Sequence, residues 1–397
     1  MKDTTIQEAY IVQAIRTPVG KRNGVFKHTR PDDLLAHVLK EVTEHNSEVQ
    51  GAIEDIIVGC AMPEGEQGMN VARIGTLLAG FPDNVPALTI NRFCSSGSQA
   101  VAMAADKIRL GEADLMIGAG TESMSMVPMM GNKVAMNAKV FQDDNMAIAY
   151  GMGLTGEKVA ERWKVSRESQ DAFAAESHNR ALNATEQGHF QDEIRPVDVS
   201  ISLPTKDGLD IETHHHTIEN DEGPRRGSTP EVLGGLRTVF KADGSVTAGN
   251  SSQMSDGAGA VLLASAAALK KYNLSPIGRF VTSAVVGVAP DVMGIGPKEA
   301  IPLCLKRAGL KLEDMDWIEL NEAFAAQSLV VINELGLDQS KVNPNGGAIA
   351  LGHPLGATGA IRTATVMHGL KRTGGKYGMV TMCIGTGMGF AMIVEAL

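Results

Sequence analysis

Cysteine is scarce in this 397-residue chain: four at irregular spacing cannot build a disulfide framework, so folding in a reducing compartment is expected. Long apolar runs are missing too. No stretch of about 18 apolar residues is present, and no apolar signal region follows Met1, so neither a membrane-spanning helix nor a secretory leader is expected. The final Glu395-Ala396-Leu397 differs from the Ser-Lys-Leu peroxisomal address, leaving a cytoplasmic protein as the expectation. Positive charge is in deficit. A net charge of −10 argues against nucleic acid or an anionic membrane as main partner, although local basic residues could still bind a small anion. The glycine-rich segments fit neither the P-loop nor the dinucleotide fingerprint, so no nucleotide cofactor is implied. His214-His215-His216 invites a metal reading, but adjacent histidines in a strand face opposite ways and no cysteine or carboxylate stands at ligand spacing. No metal is expected.

What is present describes an ordinary globular chain, 43% hydrophobic and 21% charged, long enough for two or three domains. Its two ends look like diverged copies. Ile53 to Gly59 is echoed by Asp314 to Asn321, Leu88 to Ala104 by Val342 to Ala364, and Asp114 to Gly118 by Gly378 to Met382. Strands alternating with helices at this spacing predict an α/β fold with βαβ units around largely parallel sheets. The expected division is an N-terminal half, 1–120 with 249–275, an inserted segment, 121–248, and a C-terminal half, 276–397. Helices are predicted after Cys94 with a stop at Gly111, from Ser166 to Gly188, from Pro297 to Gly309, and from an Asn321 cap to Gly336. Cys304 falls on a buried helical stripe, and Cys60 at a strand end is expected to be inert.

Chemistry concentrates in three motifs: Asn91-Arg92-Phe93-Cys94-Ser95-Ser96-Gly97, Gly346 to Pro354 with its His353, and Cys383-Ile384-Gly385-Thr386-Gly387-Met388-Gly389. Two thiols and an imidazole among small residues suit acyl transfer through a protein thioester, where backbone N–H groups must approach a developing oxyanion. Cys94 is the expected nucleophile, its pKa lowered by a helix N-terminus. His353 is the expected base. Cys383, expected in a turn after a strand, is a second thiol able to move protons at a carbon acid, which suits C–C bond chemistry better than hydrolysis.

At these residues the chain resembles the thiolase family over essentially its whole length, adding Asn321-Glu322-Ala323-Phe324 and Asn345 to Gly359 to the matching stretches. The resemblance implies two similar βαβαβαββ halves in a five-layered α-β-α-β-α core, with an inserted loop domain holding coenzyme A as substrate. It implies thiolytic cleavage of 3-ketoacyl-CoA, as in fatty-acid β-oxidation, reversible as a Claisen condensation. Cys94 would carry the acyl group and Cys383 would protonate the enolate and deprotonate coenzyme A. His353 and a water on Asn321 would form one oxyanion hole, and the N–H groups of Cys94 and Gly385 the other. Arg225, Ser252, Met152, Ala323 and Phe324 match substrate-binding positions. A homodimer or dimer of dimers, working beside other β-oxidation enzymes, is implied by the same analogy. Gly151 stands where acetoacetyl-specific members carry histidine, which resembles degradative members of broader chain length. Gln253 replaces a frequent glycine, so a pantetheine contact could differ there. Met124, Met126, Met129 and Met130 suit either an adaptable acyl pocket or ordinary packing. A biosynthetic acetoacetyl-CoA thiolase and a non-catalytic lipid carrier remain alternatives; a ketoacyl synthase would want histidine or asparagine at 383.

Overall fold

The computed structural model describes residues 6–397, apart from the side chains of residues 143 and 144. The first unit runs β1 (Ala9–Arg16), β2 (Gly20–Lys21), α1 (Pro31–Val42), α2 (Ser47–Ala52) and β3 (Asp55–Gly59). It continues through α3 (Val71–Leu78), β4 (Ala87–Ile90), α4 (Ser96–Arg109) and β5 (Leu115–Ser123). A long excursion holds α5 (Met152–Arg162), α6 (Arg167–Glu186), a hairpin of β6 (Val197–Pro204) and β7 (Ile211–Ile218), and α7 (Pro230–Gly234). The chain then returns through β8 (Ser255–Ala264) and α8 (Ala266–Lys271). The second unit is β9 (Gly278–Gly287), α9 (Gly296–Ala308), β10 (Met315–Leu320), α10 (Ala325–Leu335), α11 (Ala348–Leu351), α12 (Leu355–Thr373), β11 (Tyr377–Ile384) and β12 (Met388–Ala396).

The ten strands follow the order β10-β11-β12-β9-β1-β8-β5-β3-β4, with β2 paired to β8. That order reads the same from either end. β1 and β9 meet antiparallel at the centre, and β3–β5 and β10–β11 are matching parallel pairs. β4 lies parallel to β3, and an isolated parallel bridge from Ile318 to Val342 stands in its place on β10. The two units are therefore topological copies joined edge to edge.

Layering follows from which helices bury which faces. α1 and α3 cover the outer face of the first unit with Leu34, Leu35, Val38 and Val71 against Ile56 and Val58. α9 and α10 cover the outer face of the second with Ile301, Cys304 and Val331 against Met379 and Ile393. Between them, Val101, Ala104 and Ala105 of α4 and Val366 and Met367 of α12 pack against Met116 and Val261 on one side and Val380 and Met382 on the other. Helices buried all round need small side chains, which explains the alanine content of α4. The result is the five-layered α-β-α-β-α core.

Local signals behave as expected at most ends. Ser166 accepts the N–H of Ser169 to start α6, and Gly309 and Gly336 close α9 and α10 at φ 67° and 63°. Asn321 is a correction. α10 begins at Ala325 with Phe324 in the cap position, so Asn321 lies four residues upstream, directly after β10, where its side chain is released for other work. β5 continues to Ser123, three residues beyond the boundary at 120. Across the hairpin, His215 bonds Ser200 while His214 lies 3.7 Å from Glu212 on the other face. Among the described residues no group of three or more histidine, cysteine and acidic side chains is arranged to hold a metal ion.

Candidate active site

Cys94 sits in a single 3₁₀ turn, Phe93–Ser95, between β4 and α4. The turn is strained: Phe93 has φ +44°, a region that bulky residues rarely enter. Side chains of the motif hold it there. Asn91 Oδ1 accepts the Phe93 N–H at 2.8 Å, the Ser96 hydroxyl donates to the Phe93 carbonyl at 2.7 Å, and the Arg92 N–H donates back to Ser96 at 2.8 Å. This accounts for asparagine and serine at fixed distances from the cysteine. Cys94 ends up partly buried at the start of α4, beside Ala61, Met124 and Leu355.

The thiol itself departs from expectation. Burial pushes Cys94 up to about 11, and the buried carboxylate of Glu122 adds to the rise. The N–H groups of Gly385 and of Cys94 itself pull the other way, but burial outweighs them. A site in which ionisation is opposed by desolvation needs a proton acceptor at the moment of attack.

His353 is the acceptor expected from the sequence. Its turn is fixed because Gly352 takes φ +92° and a Cβ there would stand 2.3 Å from Ser255 Oγ. The His353 N–H donates to the Gln253 carbonyl at 3.0 Å and to Ser255 Oγ at 3.1 Å. On the ring, Nδ1 lies 2.6 Å from Thr358 Oγ1, whose hydroxyl donates to the Pro354 carbonyl at 3.0 Å. Thr358 therefore accepts from Nδ1–H, which leaves the Nε2 lone pair facing the Asn321 amide Nδ2 at 3.3 Å. Burial, helped by Arg362 on α12, lowers the imidazole to about 3 and keeps it neutral. Asn321 is placed by Asn343, which pairs with both backbone groups of Leu320, and its own Oδ1 is buried without a partner among the described residues.

Cys383 is the second-to-last residue of β11, paired with Gly389 of β12, and not in the turn beyond the strand as expected. It is fully buried with Ala323, Phe324, Val246 and Met293. Burial raises its pKa well above that of an ordinary thiol, and a charge on Cys94 raises it further. The turn that follows carries Thr386 at φ +66° and Gly387 at φ +89°, and it presents Gly385 to the cavity next to Met152 and Phe93.

Cys94, Gly385, Met152, Leu355 and Asn91 line a cavity of about 350 Å³, whereas His353, Asn321 and Cys383 are buried and are not among its lining residues. Met129, Met130 and Met136 line it, whereas Met124 is buried beneath Cys94, so the methionine cluster divides between pocket and packing. Of the other expected contacts, Ala323 and Phe324 are buried around Cys383, with Phe240 edge-on to Phe324 at 6.3 Å. The Ser252 N–H donates to the Ala323 carbonyl at 3.0 Å, at the same junction. Arg225 is exposed, with its backbone N–H donating to His178 Nδ1 at 3.3 Å; Arg226 beside it is engaged by Glu186 at 2.7 Å. Gln253 turns inward and donates to the carbonyls of Gly223, Ile349 and Ala350, tying the insertion to the histidine-bearing segment.

A sequence model described as the thiolase N-terminal domain matches residues 9–267, and one described as the thiolase C-terminal domain matches residues 274–396. The chain belongs to the thiolase family. It is 50% identical over 393 residues to a 3-ketoacyl-CoA thiolase of Bacillus subtilis (strain 168), covering 98% of this chain and 100% of that one. Its fold overlays on the Bacillus anthracis acetyl-CoA acetyltransferase with a TM-score of 0.88 and 38% identity, each chain covered completely. The human mitochondrial 3-ketoacyl-CoA thiolase in complex with CoA gives 0.87 and 39%, with 99% of each chain covered. Thr358 and Glu122 escaped the sequence reading of this thiolase as individual residues, and Gln253 was noted only for a pantetheine contact, not for the tie it makes to the histidine-bearing segment. Glu122 carried a usable signal, as the only charge in the small-residue strand Leu115–Ser123.

Proposed function

We propose that this thiolase cleaves 3-ketoacyl-CoA with coenzyme A to give acetyl-CoA and an acyl-CoA two carbons shorter. One observation carries the reading: Cys94 and Gly385 line the same cavity, where the Gly385 N–H acts on the Cys94 thiol and a second thiol, Cys383, is close enough to feel its charge. Cys94 gives its proton to His353 and attacks the 3-keto carbon, and the alkoxide accepts from the N–H groups of Cys94 and Gly385. The C2–C3 bond breaks, leaving an acyl-Cys94 thioester and the enolate of acetyl-CoA. Its thioester oxygen is met by His353 and a water on the unpartnered Asn321 Oδ1. Cys383 protonates the enolate carbon; the resulting thiolate then removes the proton of coenzyme A, whose sulfur attacks the acyl group and releases Cys94, which recovers its proton from His353. The whole sequence reverses as a Claisen condensation.

Segment 121–248 holds coenzyme A, with Arg225 on its phosphates, Ser252 on pantetheine and Met152, Ala323 and Phe324 around the reacting end. Gly151 supports chains longer than four carbons, since no atom stands within 4 Å of where its Cβ would be. The biosynthetic reading is the alternative, since the fold overlays on an acetyl-CoA acetyltransferase as well as on 3-ketoacyl-CoA thiolases. Mass spectrometry of Cys94 after mixing with a 3-ketoacyl-CoA should show an acyl adduct that added coenzyme A removes; no adduct would favour a carrier. Thiolysis rates across chain length decide direction, and a strict four-carbon preference would overturn the degradative assignment. We further propose a homodimer, or a dimer of dimers, in the cytoplasm alongside other β-oxidation enzymes. β4 is a free sheet edge with Leu88 exposed, flanked by exposed Leu77 and Leu78 on α3. Light scattering tests this, a monomer being the contrary result. No helix of the described residues is long and apolar enough to cross a membrane.

A further inference from the structure

Glu122, the second-to-last residue of β5, is a fully buried carboxylate that the steps above leave without a role. Its Oε2 accepts the N–H groups of Ala61 and Gly356, each at 2.7 Å. Its Oε1 accepts the Met62 N–H at 3.2 Å and the Gln67 side-chain amide, and faces the Cys60 thiol at 3.9 Å. All five partners are donors. Burial pushes the carboxyl up, yet four N–H groups leave no acceptor for its proton, so the hydrogen-bond pattern selects the anion.

The donors come from both halves of the molecule. Ala61 and Met62 follow β3 and line the catalytic cavity. The Ala61 carbonyl accepts from Asn91 Nδ2 at 2.9 Å, and Asn91 in turn holds the strained Phe93 next to Cys94. Gly356 lies in the first turn of α12, whose cap residue Pro354 offers no side-chain bond, three residues beyond His353. A carboxylate there satisfies an orphan N–H and complements the helix dipole. Contact is possible only with glycine, because a Cβ on residue 356 would stand 2.7 Å from Glu122 Oε2 and 2.6 Å from Cys60 Cα.

We propose that Glu122 is a positioning residue for acyl transfer, a single buried anion that holds the Cys94 segment and the His353 segment at a fixed separation. The inference rests on the thiolase reading above. A neutral side chain of similar size cannot accept four N–H groups, which is why the position requires a charge even though that charge opposes thiolate formation at Cys94.

The test is Glu122→Gln in the full chain. Glutamine keeps the shape but turns an NH2 toward N–H donors. Thiolysis kcat is expected to fall by about 10²-fold, the cost of a misplaced reacting group. KM values for both substrates stay within about threefold, because the residue touches neither. With the anion gone and Cys383 and the Gly385 N–H unchanged, the pH midpoint of Cys94 alkylation by iodoacetamide shifts downward, which checks that Glu122 is an anion near Cys94, while the loss of kcat at unchanged KM in folded protein reads its positioning role. Gly356→Ala attacks the same clamp without removing the charge, and is expected to lose kcat with an unshifted alkylation profile. A Glu122→Gln kcat within about threefold of wild type overturns the proposal. So does a kcat loss that tracks loss of folded protein with an unshifted profile. If Glu122→Gln does not fold, a wild-type kcat in Gly356→Ala overturns it equally. Should the wild-type protein show no thiolysis, the functional reading fails by itself, and the alkylation shift still decides whether Glu122 acts on Cys94.

Discussion

Replacing Thr358 by valine removes one oxygen from a buried pair and tests whether the imidazole of His353 is held in the right tautomer. Thr358 Oγ1 is bonded on both sides, accepting from Nδ1–H at 2.6 Å and donating to the Pro354 carbonyl at 3.0 Å. Valine matches the shape and leaves a buried N–H without an acceptor, a loss of about 1–3 kcal/mol. The ring can relieve that loss by moving its proton to Nε2, the atom that faces Asn321 and is needed as base. Either way the productive form is disfavoured by the same free energy, which converts to a roughly 5- to 150-fold slower acylation of Cys94. The assay is a single turnover with 3-ketoacyl-CoA and no coenzyme A, following release of acetyl-CoA and the mass of the acylated protein. Thr358→Ser keeps the hydroxyl and should restore the rate. If Thr358→Val acylates as fast as wild type, Thr358 does not set the tautomer, and the assignment of His353 as base loses its geometric support.

Cys383→Ala should lower thiolysis kcat by about 10²- to 10⁴-fold, the range for a lost proton-transfer group, while Cys94 still reacts with iodoacetamide. Arg225→Ala should raise KM for coenzyme A about fivefold, as for one partly exposed charged contact, whereas Arg226→Ala leaves it unchanged because Arg226 already pairs with Glu186. Cys60 and Cys304 are buried and raised, Cys304 to about 12, whereas unfolded thiols ionise near 9. The stability they contribute is complete below about pH 9 and falls above it by about 1.4 kcal/mol per pH unit per thiol; melting curves of a Cys60→Ala/Cys304→Ala protein should therefore decline less steeply. Gly359→Ala places a Cβ 2.0 Å from Ser98 N and should destabilise by about 1–3 kcal/mol. Gly51→Ala, in α2 with nothing within 4 Å, should stabilise by about 0.5–1 kcal/mol in the same denaturant titration.

The internal duplication, the helix ends and the three motifs were legible because each is a local pattern: an apolar period, a capping residue, a glycine after a helix. What escaped were partnerships made by the fold. Asn321 read as a cap because asparagine before an apolar run usually is one, and only the parallel bridge at Val342 shows Asn343 occupying the end of β10 instead. Cys383 read as a turn residue because glycine surrounds it, yet its alternation with Met382 and Ile384 continues β11 for its full length. The expected acidity of Cys94 rested on the helix terminus alone. Burial is a property of the packed cavity, and it pushes the thiol the other way.

The glycines of the motifs teach the same lesson about cause. In the sequence they suggest backbone N–H groups free to approach an oxyanion, but Gly97 and Gly359 serve a helix crossing, with Gly120 of β5 beside them. A Cβ on Gly97 would lie 2.8 Å from Ala360 N, and one on Gly120 would lie 2.3 Å from the Gly356 carbonyl. Together with Gly359 they let α4, α12 and β5 pack backbone to backbone in the central layer. Gly385 differs: a Cβ there would meet only Met152 at 3.5 Å and Phe93 at 3.9 Å, in ordinary contact. The small residues at 97, 120, 356 and 359 thus bring the two halves close enough for a charge on Cys94 to be felt at Cys383. The small residue at 385 keeps the cavity beside Cys94 open.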